Sequence, residues 1–200
     1  SNTETDFAAK NILFLDFLDQ IGSYALKVDN FENLSVQNFI NQRFDGKLIS
    51  EYFAEIISKI GENIVLRKIN FMKKDNNSQI YTYTHNAYRK NIGKICVILK
   101  AEVKKIDDES NQFGKNLCMH IAASKPLALD INELEAPLVE KEKEIQLELI
   151  KSSGKPEKII NKILDGKMKK FYSDVTFLNQ PYILDTDKKV KTVISEFSLK

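Results

Sequence analysis

Lys94-Ile95-Cys96-Val97-Ile98-Leu99-Lys100-Ala101-Glu102-Val103-Lys104 sets Ile95, Val97, Leu99, Ala101 and Val103 against Lys94, Cys96, Lys100, Glu102 and Lys104. A side-chain period of two puts the first set on one face of a strand and the mostly polar set on the other. One face then packs on a helix layer while the other stays nearer water, the habit of an antiparallel sheet in an α+β fold. Residues 63–72 and 79–85 read as further strands of the same region.

Upstream the period changes. Over residues 6–26 the apolar positions Phe7, Phe14, Leu18, Ile21 and Ala25 follow helical spacing, and Thr5 and Asp6 suit the helix start. A polar stretch, residues 27–34, precedes a second helix through Phe53, Ile56, Ile57 and Ile60. Gly61 ends it, because glycine accepts the left-handed cap conformation without strain.

Downstream, the acidic turn Asp107-Asp108-Glu109-Ser110 leads into a helix carrying Leu117, His120, Ile121 and Ala122, which breaks at Lys125-Pro126, a subdomain boundary. Residues 135–153 and 156–175 are helical, with Gly154 as stop and Pro156 at a first turn, so they form an αα-hairpin. Its apolar seam, Val139, Ile145, Leu149 and Ile150 against Ile160, Leu164, Met168, Phe171 and Val175, is narrow, and most of the rest is Lys and Glu. A narrow seam in two long helices describes a projecting arm. Residues 177–184 look extended around Pro181, and a short helix is expected near 190–197.

Composition narrows the function. The 200 residues are 42% apolar and 29% charged, enough for a real core. Thirty basic residues against 28 acidic give a net charge of +2, too balanced for a dedicated nucleic-acid binder. Cys96 and Cys118 are far apart and form no Cys-x-x-Cys pair, so both read as buried thiols of a reducing compartment. No apolar run approaches the ~18 residues of a membrane span, and the first residues lack the pattern of a signal peptide. The expectation is a soluble, cytosolic protein.

Bond chemistry has no constellation here. The 2 histidines, His85 and His120, have no ligand partner at metal-binding spacing, so neither metal nor cofactor is expected. Gly154-Lys155-Pro156 is no phosphate loop, since proline has no N–H to offer. Glu140, Glu142 and Glu144 alternate with Lys141 and Lys143 as a solvated helix face.

Several stretches are less generic: Thr5-Asp6-Phe7-Ala8-Ala9-Lys10; Lys59-Ile60-Gly61-Glu62-Asn63-Ile64; Met119-His120-Ile121-Ala122-Ala123-Ser124-Lys125-Pro126; and Gly166-Lys167-Met168-Lys169-Lys170-Phe171-Tyr172 followed by Gln180-Pro181-Tyr182. In order and spacing they resemble the elongation factor Ts family, over its core region without its N-terminal helical domain. Ser153-Gly154-Lys155-Pro156-Glu157 falls where that family turns its helical hairpin, and Tyr182 stands where phenylalanine is more usual.

The resemblance implies two small sheet-plus-helix subdomains, residues 1–110 and residues 111–134 with 176–200, and a protruding antiparallel coiled coil at 135–175. It also implies a guanine nucleotide exchange factor that acts on elongation factor Tu by binding, not as an enzyme. Asp6 and Phe7 then correspond to the element that intrudes on the partner's nucleotide and magnesium site. Ile60, Gly61 and His85 correspond to further contacts with the same domain, and Ile183 and Leu184 to contacts with a distant one.

Each has a plainer reading. By spacing alone Phe7 belongs to the buried stripe, Asp6 is a first-turn acid favoured by the helix dipole, Gly61 is a cap, His85 a strand-end residue, and Ile183 and Leu184 are strand core. His120, on the apolar side of its helix, reads as a satisfied core residue. The competing function is a dimerisation or interaction module using the arm, with a homodimer as its product. An RNA-binding accessory role has only the Lys-rich arm and the tyrosines Tyr81 and Tyr83, taken as exposed, in its favour.

Overall fold

The opening helix forms in two pieces. In the computed structural model, which describes residues 1–29, 31, 34–152 and 156–198 and only the backbone of 157 and 158, α1 is Asp6–Lys10 and α2 is Ile12–Ala25. Between them Asn11 is extended (φ -62°, ψ 132°), and its side-chain oxygen accepts the Leu13 N–H at 2.9 Å. Asparagine thus caps a new helix where the apolar spacing suggested an unbroken one. The break takes Phe7 off the stripe: Phe14 and Ile21 are buried, whereas Phe7 is 89% exposed.

Helix α3 (Val36–Ile40), the hairpin β1–β2 (Arg43–Phe44, Lys47–Leu48) and α4 (Ile49–Ile60) follow. The hairpin turns on Asp45 and Gly46, both at positive φ, a combination that suits its right-handed twist. Phe14, Phe17, Ile21 and Tyr24 of α2 form a core with Phe39, Ile49, Phe53, Ile56 and Ile64. Phe17 meets Phe53 edge to face at 4.8 Å. As expected, α4 ends at Gly61, which is left-handed (φ 77°) and donates its N–H to the Ile57 carbonyl at 2.8 Å.

Residues 63–72 are not a strand. Val65 alone pairs there, in an isolated antiparallel bridge with Asn2. Their alternation arises because Ile64, Leu66 and Ile69 pack on the helix core.

The long hairpin does form, as β3 (Ser78–Arg89) and β4 (Ile92–Glu102) in antiparallel register, Tyr81 opposite Leu99 and Tyr83 opposite Val97. Val97 is buried on the expected face, and Ile98 on the other is 50% exposed. Cys96 shares that outer face and is exposed, so only Cys118 is a buried thiol. Tyr81 is buried too, which removes one of the aromatics taken as exposed.

Helix α5 (Asp108–Ser124) covers the inner face: a Cβ added at Gly114 would lie 2.4 Å from the Tyr81 ring. Its start is capped by Asp107, whose carboxylate accepts the Ser110 N–H at 2.9 Å. The chain divides into two units within this helix, Ser1–Lys115 and Asn116–Lys200.

The second unit continues with α6 (Ala136–Lys151), α7 (Glu157–Val175), β5 (Pro181–Tyr182), β6 (Asp185–Lys189) and α8 (Val190–Ser198). Residues 177–179 form a short helical turn instead of extended chain. Ile150, Leu164 and Met168 are the buried centre of the α6–α7 contact, flanked by Val139, Leu147, Ile160, Ile163 and Phe171. Ile145 and Leu149, expected in the seam, are exposed, and Leu147 packs there instead. The turn expected at residues 153–157 lies largely outside the described residues. The architecture is α+β, with three two-stranded antiparallel sheets among the described residues. No described helix is long and apolar enough to cross a membrane.

His120 is fully buried, as its helical face predicts. Its Nε2 bonds the Gln180 Oε1 at 2.9 Å, its Nδ1 accepts the Ile183 N–H at 3.3 Å, and its ring lies 5.7 Å from Phe177 and 5.8 Å from Tyr182. Burial lowers its pKa from the ordinary histidine value, with the Gln180 bond partly opposing.

Two outcomes follow from this packing. Gly114→Ala gains about 1 kcal/mol of helix propensity but drives a methyl into Tyr81 at a cost of ~1–3 kcal/mol. A lowered urea midpoint is expected, and a raised one contradicts the close packing. For His120 the sign is set by its lowered folded pKa: its contribution is complete above about pH 6.5 and is lost as pH falls, because the unfolded chain takes the proton first. Between about pH 7.5 and 5.5 the parent's urea midpoint should fall further than that of His120→Asn; parallel falls contradict it.

Candidate functional site

At the start of α1 two of the motifs meet. Thr5 is extended at the N-cap, and its hydroxyl oxygen accepts the Ala8 N–H at 3.2 Å. The same hydroxyl donates to Glu62 Oε1 at 2.6 Å, and the Thr5 N–H reaches Glu62 Oε2 at 3.1 Å. One carboxylate therefore grips both donors of the cap residue, and charge-assisted bonds of this kind are the short, directional ones. Glu62 follows Gly61 directly, so the left-handed turn that ends α4 also delivers the carboxylate to the tip of α1. Asn2 and Val65 exchange backbone hydrogen bonds at 2.8 and 3.0 Å and lay the preceding residues alongside.

The clasp leaves Asp6 and Phe7 outward. Ala8 is buried beneath the helix, while Phe7, one position earlier, stands 89% exposed. A phenylalanine in water forgoes about 1.5–3 kcal/mol of burial, so it stands available to any surface that offers a pocket. Asp6 is exposed as well, with Lys94 Nζ at 3.7 Å from its carboxylate. Lys94 is the neighbour of Ile95, and Ile95 is paired with His85 across the hairpin. His85 lies exposed beside Tyr83, whose hydroxyl is 3.2 Å from its Nδ1. At the far end of β3, Arg89 bridges Asp16 at 2.6 Å and Asp19 at 3.1 Å, which ties the hairpin to α2.

Thus Asp6 and Phe7 are joined to Ile60 and Gly61 through Thr5 and Glu62, and the strand pair that carries His85 is joined to Asp6 through Lys94. Ile60 is half-buried against the helix core and Gly61 is exposed. Ile183 and Leu184 belong to the other unit. There Tyr182 pairs with Asp185, so they are the two loop residues of the β5–β6 hairpin, Ile183 half-buried and Leu184 57% exposed. They are turn residues, not strand core.

Thr5, Glu62 and Gln180 lie inside motifs quoted from the sequence, yet the sequence reading gave them no site role. A capping threonine and a carboxylate just after a helix-ending glycine were the available signals, but nothing local says that they meet. Among the described residues no group of His, Cys, Asp and Glu could hold a metal. The Cys118 thiol is pushed up to about 11 by burial and is no nucleophile. The depression lined by residues 74–78 and 103–106 includes none of these side chains. The arrangement is a set of projecting groups, suited to entering another molecule and not to enclosing a small one.

Comparison with known proteins bears on which molecule. The profile of the family described as "Elongation factor TS" matches residues 4–200. An "Elongation factor Ts" of Brucella anthropi is 34% identical over 195 residues, 98% of this chain and 62% of the relative. That of Gluconobacter oxydans is 32% identical over 200 residues, 100% and 65% of the two chains, and that of Ruegeria sp. 35% over 195 residues, 98% and 62%. The chain spans 62–65% of the length of these relatives. On the match over residues 4–200 and these identities, the chain belongs to the elongation factor Ts family.

Proposed function

We propose that this chain is the core of a translation elongation factor that binds elongation factor Tu in the cytoplasm and promotes GDP release, by binding alone and without covalent chemistry. The observation that carries the reading is Phe7, 89% exposed at a helix tip held in place by two hydrogen bonds that Thr5 donates to the Glu62 carboxylate. Phe7 enters the partner's nucleotide-binding domain as a wedge. Asp6 beside it brings negative charge toward the phosphate and magnesium region, where it competes with the nucleotide for the same cations. Ile60, Gly61 and His85 complete this contact, and Ile183 and Leu184 anchor the protein on a second, distant surface.

Residues 1–110 are the subdomain of the wedge, residues 111–134 with 176–200 that of the anchor, and residues 135–175 an antiparallel coiled-coil arm. Supporting the arm is the narrow buried contact of Ile150, Leu164 and Met168, with Lys167, Lys169 and Lys170 exposed.

Exchange by binding requires preference. A protein equally fond of the empty and filled GTPase shifts nothing, and only its differential affinity expels nucleotide. Burying Phe7 in the empty form alone supplies about 1.5–3 kcal/mol, or roughly 10- to 100-fold. Stopped-flow release of a fluorescent GDP from a bacterial elongation factor Tu tests this. The parent chain should accelerate release, and Phe7→Ala should need roughly 10- to 100-fold more protein for the same rate; equal rates for the two at every concentration rule the wedge out.

A further inference from the structure

Outside the wedge, a buried polar arrangement surrounds His120. Gln180, 3% exposed, donates from its Nε2 to the Asp174 carbonyl at 2.7 Å and the Ser124 carbonyl at 3.3 Å. Those two acceptors fix which way the amide points, so its Oε1 is the atom that faces His120 Nε2 at 2.9 Å. Oε1 can only accept, so His120 carries its proton on Nε2 and leaves Nδ1 as a bare acceptor. That acceptor takes the Ile183 N–H at 3.3 Å. Phe177 and Tyr182 close on the ring and leave the imidazole fully buried, so it has no room to swing away.

The ladder gives Ile183 no partner. Tyr182 and Asp185 pair across β5 and β6, and Ile183 and Leu184 are the loop between them. The Ile183 N–H bond to His120 joins that loop to the helix that carries the ring. Tension on it runs back through Gln180 to the carbonyls of Ser124 and Asp174, at the ends of α5 and α7.

We propose that His120 is a positioning residue for partner binding: through its Nδ1 it holds the β5–β6 turn in the attitude that presents Leu184 to the partner. This rests on the reading that Ile183 and Leu184 anchor the protein on elongation factor Tu. His120 touches nothing outside the protein and acts through the turn.

The side-chain geometry supplies a matched pair of variants. In His120→Asn the amide oxygen stands where Nδ1 stood and keeps the acceptor for Ile183, while the bond to Gln180 is lost. His120→Gln reaches Gln180 but leaves the Ile183 N–H without its acceptor. Affinity for nucleotide-free elongation factor Tu, by calorimetry, is measured for each in the parent and in the Leu184→Ala background. His120→Gln is expected to weaken binding by about 2- to 10-fold, the scale of one net hydrogen bond, and His120→Asn to restore most of that. In the Leu184→Ala background the two should bind alike, since no anchor remains to be aimed. If Leu184→Ala binds as the parent does, the anchoring reading fails and the inference with it. If Leu184→Ala is weak but His120→Gln costs the same in both backgrounds, the anchor stands and the positioning role is overturned. Should either His120 variant fail to fold, the ring nitrogens of the parent decide the matter. Long-range proton–nitrogen spectra at neutral pH should place the proton on Nε2, and a proton on Nδ1 overturns the proposal.

Discussion

A phenylalanine left in water at the end of a five-residue helix is an unfavourable arrangement unless something else fixes the helix, and here that is the Glu62 carboxylate on Thr5. So short a helix does not persist by itself, because the nucleation cost is not recovered in a single turn. Ala8 gives α1 a small apolar footing, and the clasp supplies direction. Both partners are accessible to solvent, so the clasp adds little to global stability. What it determines is geometry: the tip of α1, the end of α4 and, through Asp6 and Lys94, the start of β4 become neighbours.

The second unit presents its apolar residue in a related way with different chemistry. Leu184 protrudes from a turn whose backbone is held from below by His120, and His120 is held by Gln180. Exposed carboxylate bonds can re-form after a thermal excursion, whereas a buried imidazole with both nitrogens engaged either keeps the whole network or disturbs it. A protonated His120 has no lone pair for the Ile183 N–H, so acid releases the turn from the ring.

Much of this was legible in the sequence. The alternation from Ile95 to Val103 found its sheet face, Gly61 found its cap, and the apolar side of α5 placed His120 in the core. What escaped was partly set by distant partners and partly local chemistry that apolar periodicity does not read. Residues 63–72 alternate like a strand because they pack on helices, and only Val65 finds a ladder partner. Asn11 lies within a helical period, and its capping bond, which local spacing does not reveal, turns Phe7 outward. Cys96 sits on the outer face of β4 by simple parity, so its exposure was readable and was missed in favour of the usual habit of cysteine. The Asp45-Gly46 turn carried its own signal in a stretch that apolar periodicity passes over. The candidate site residues were named by motif; that Thr5 and Glu62 join Asp6 and Phe7 to Ile60 and Gly61 required the fold.

In the proposed exchange Phe7 is the group that distinguishes an empty GTPase from a filled one, and binding thermodynamics measures that preference most directly. Calorimetry of this chain, as parent and as Phe7→Ala, against nucleotide-free and GDP-loaded elongation factor Tu gives the two ratios needed. The parent should bind the empty form more tightly, by the same factor by which it weakens GDP binding, and Phe7→Ala should shrink that ratio. A parent that binds both forms equally, or a ratio that Phe7→Ala leaves untouched, contradicts the account.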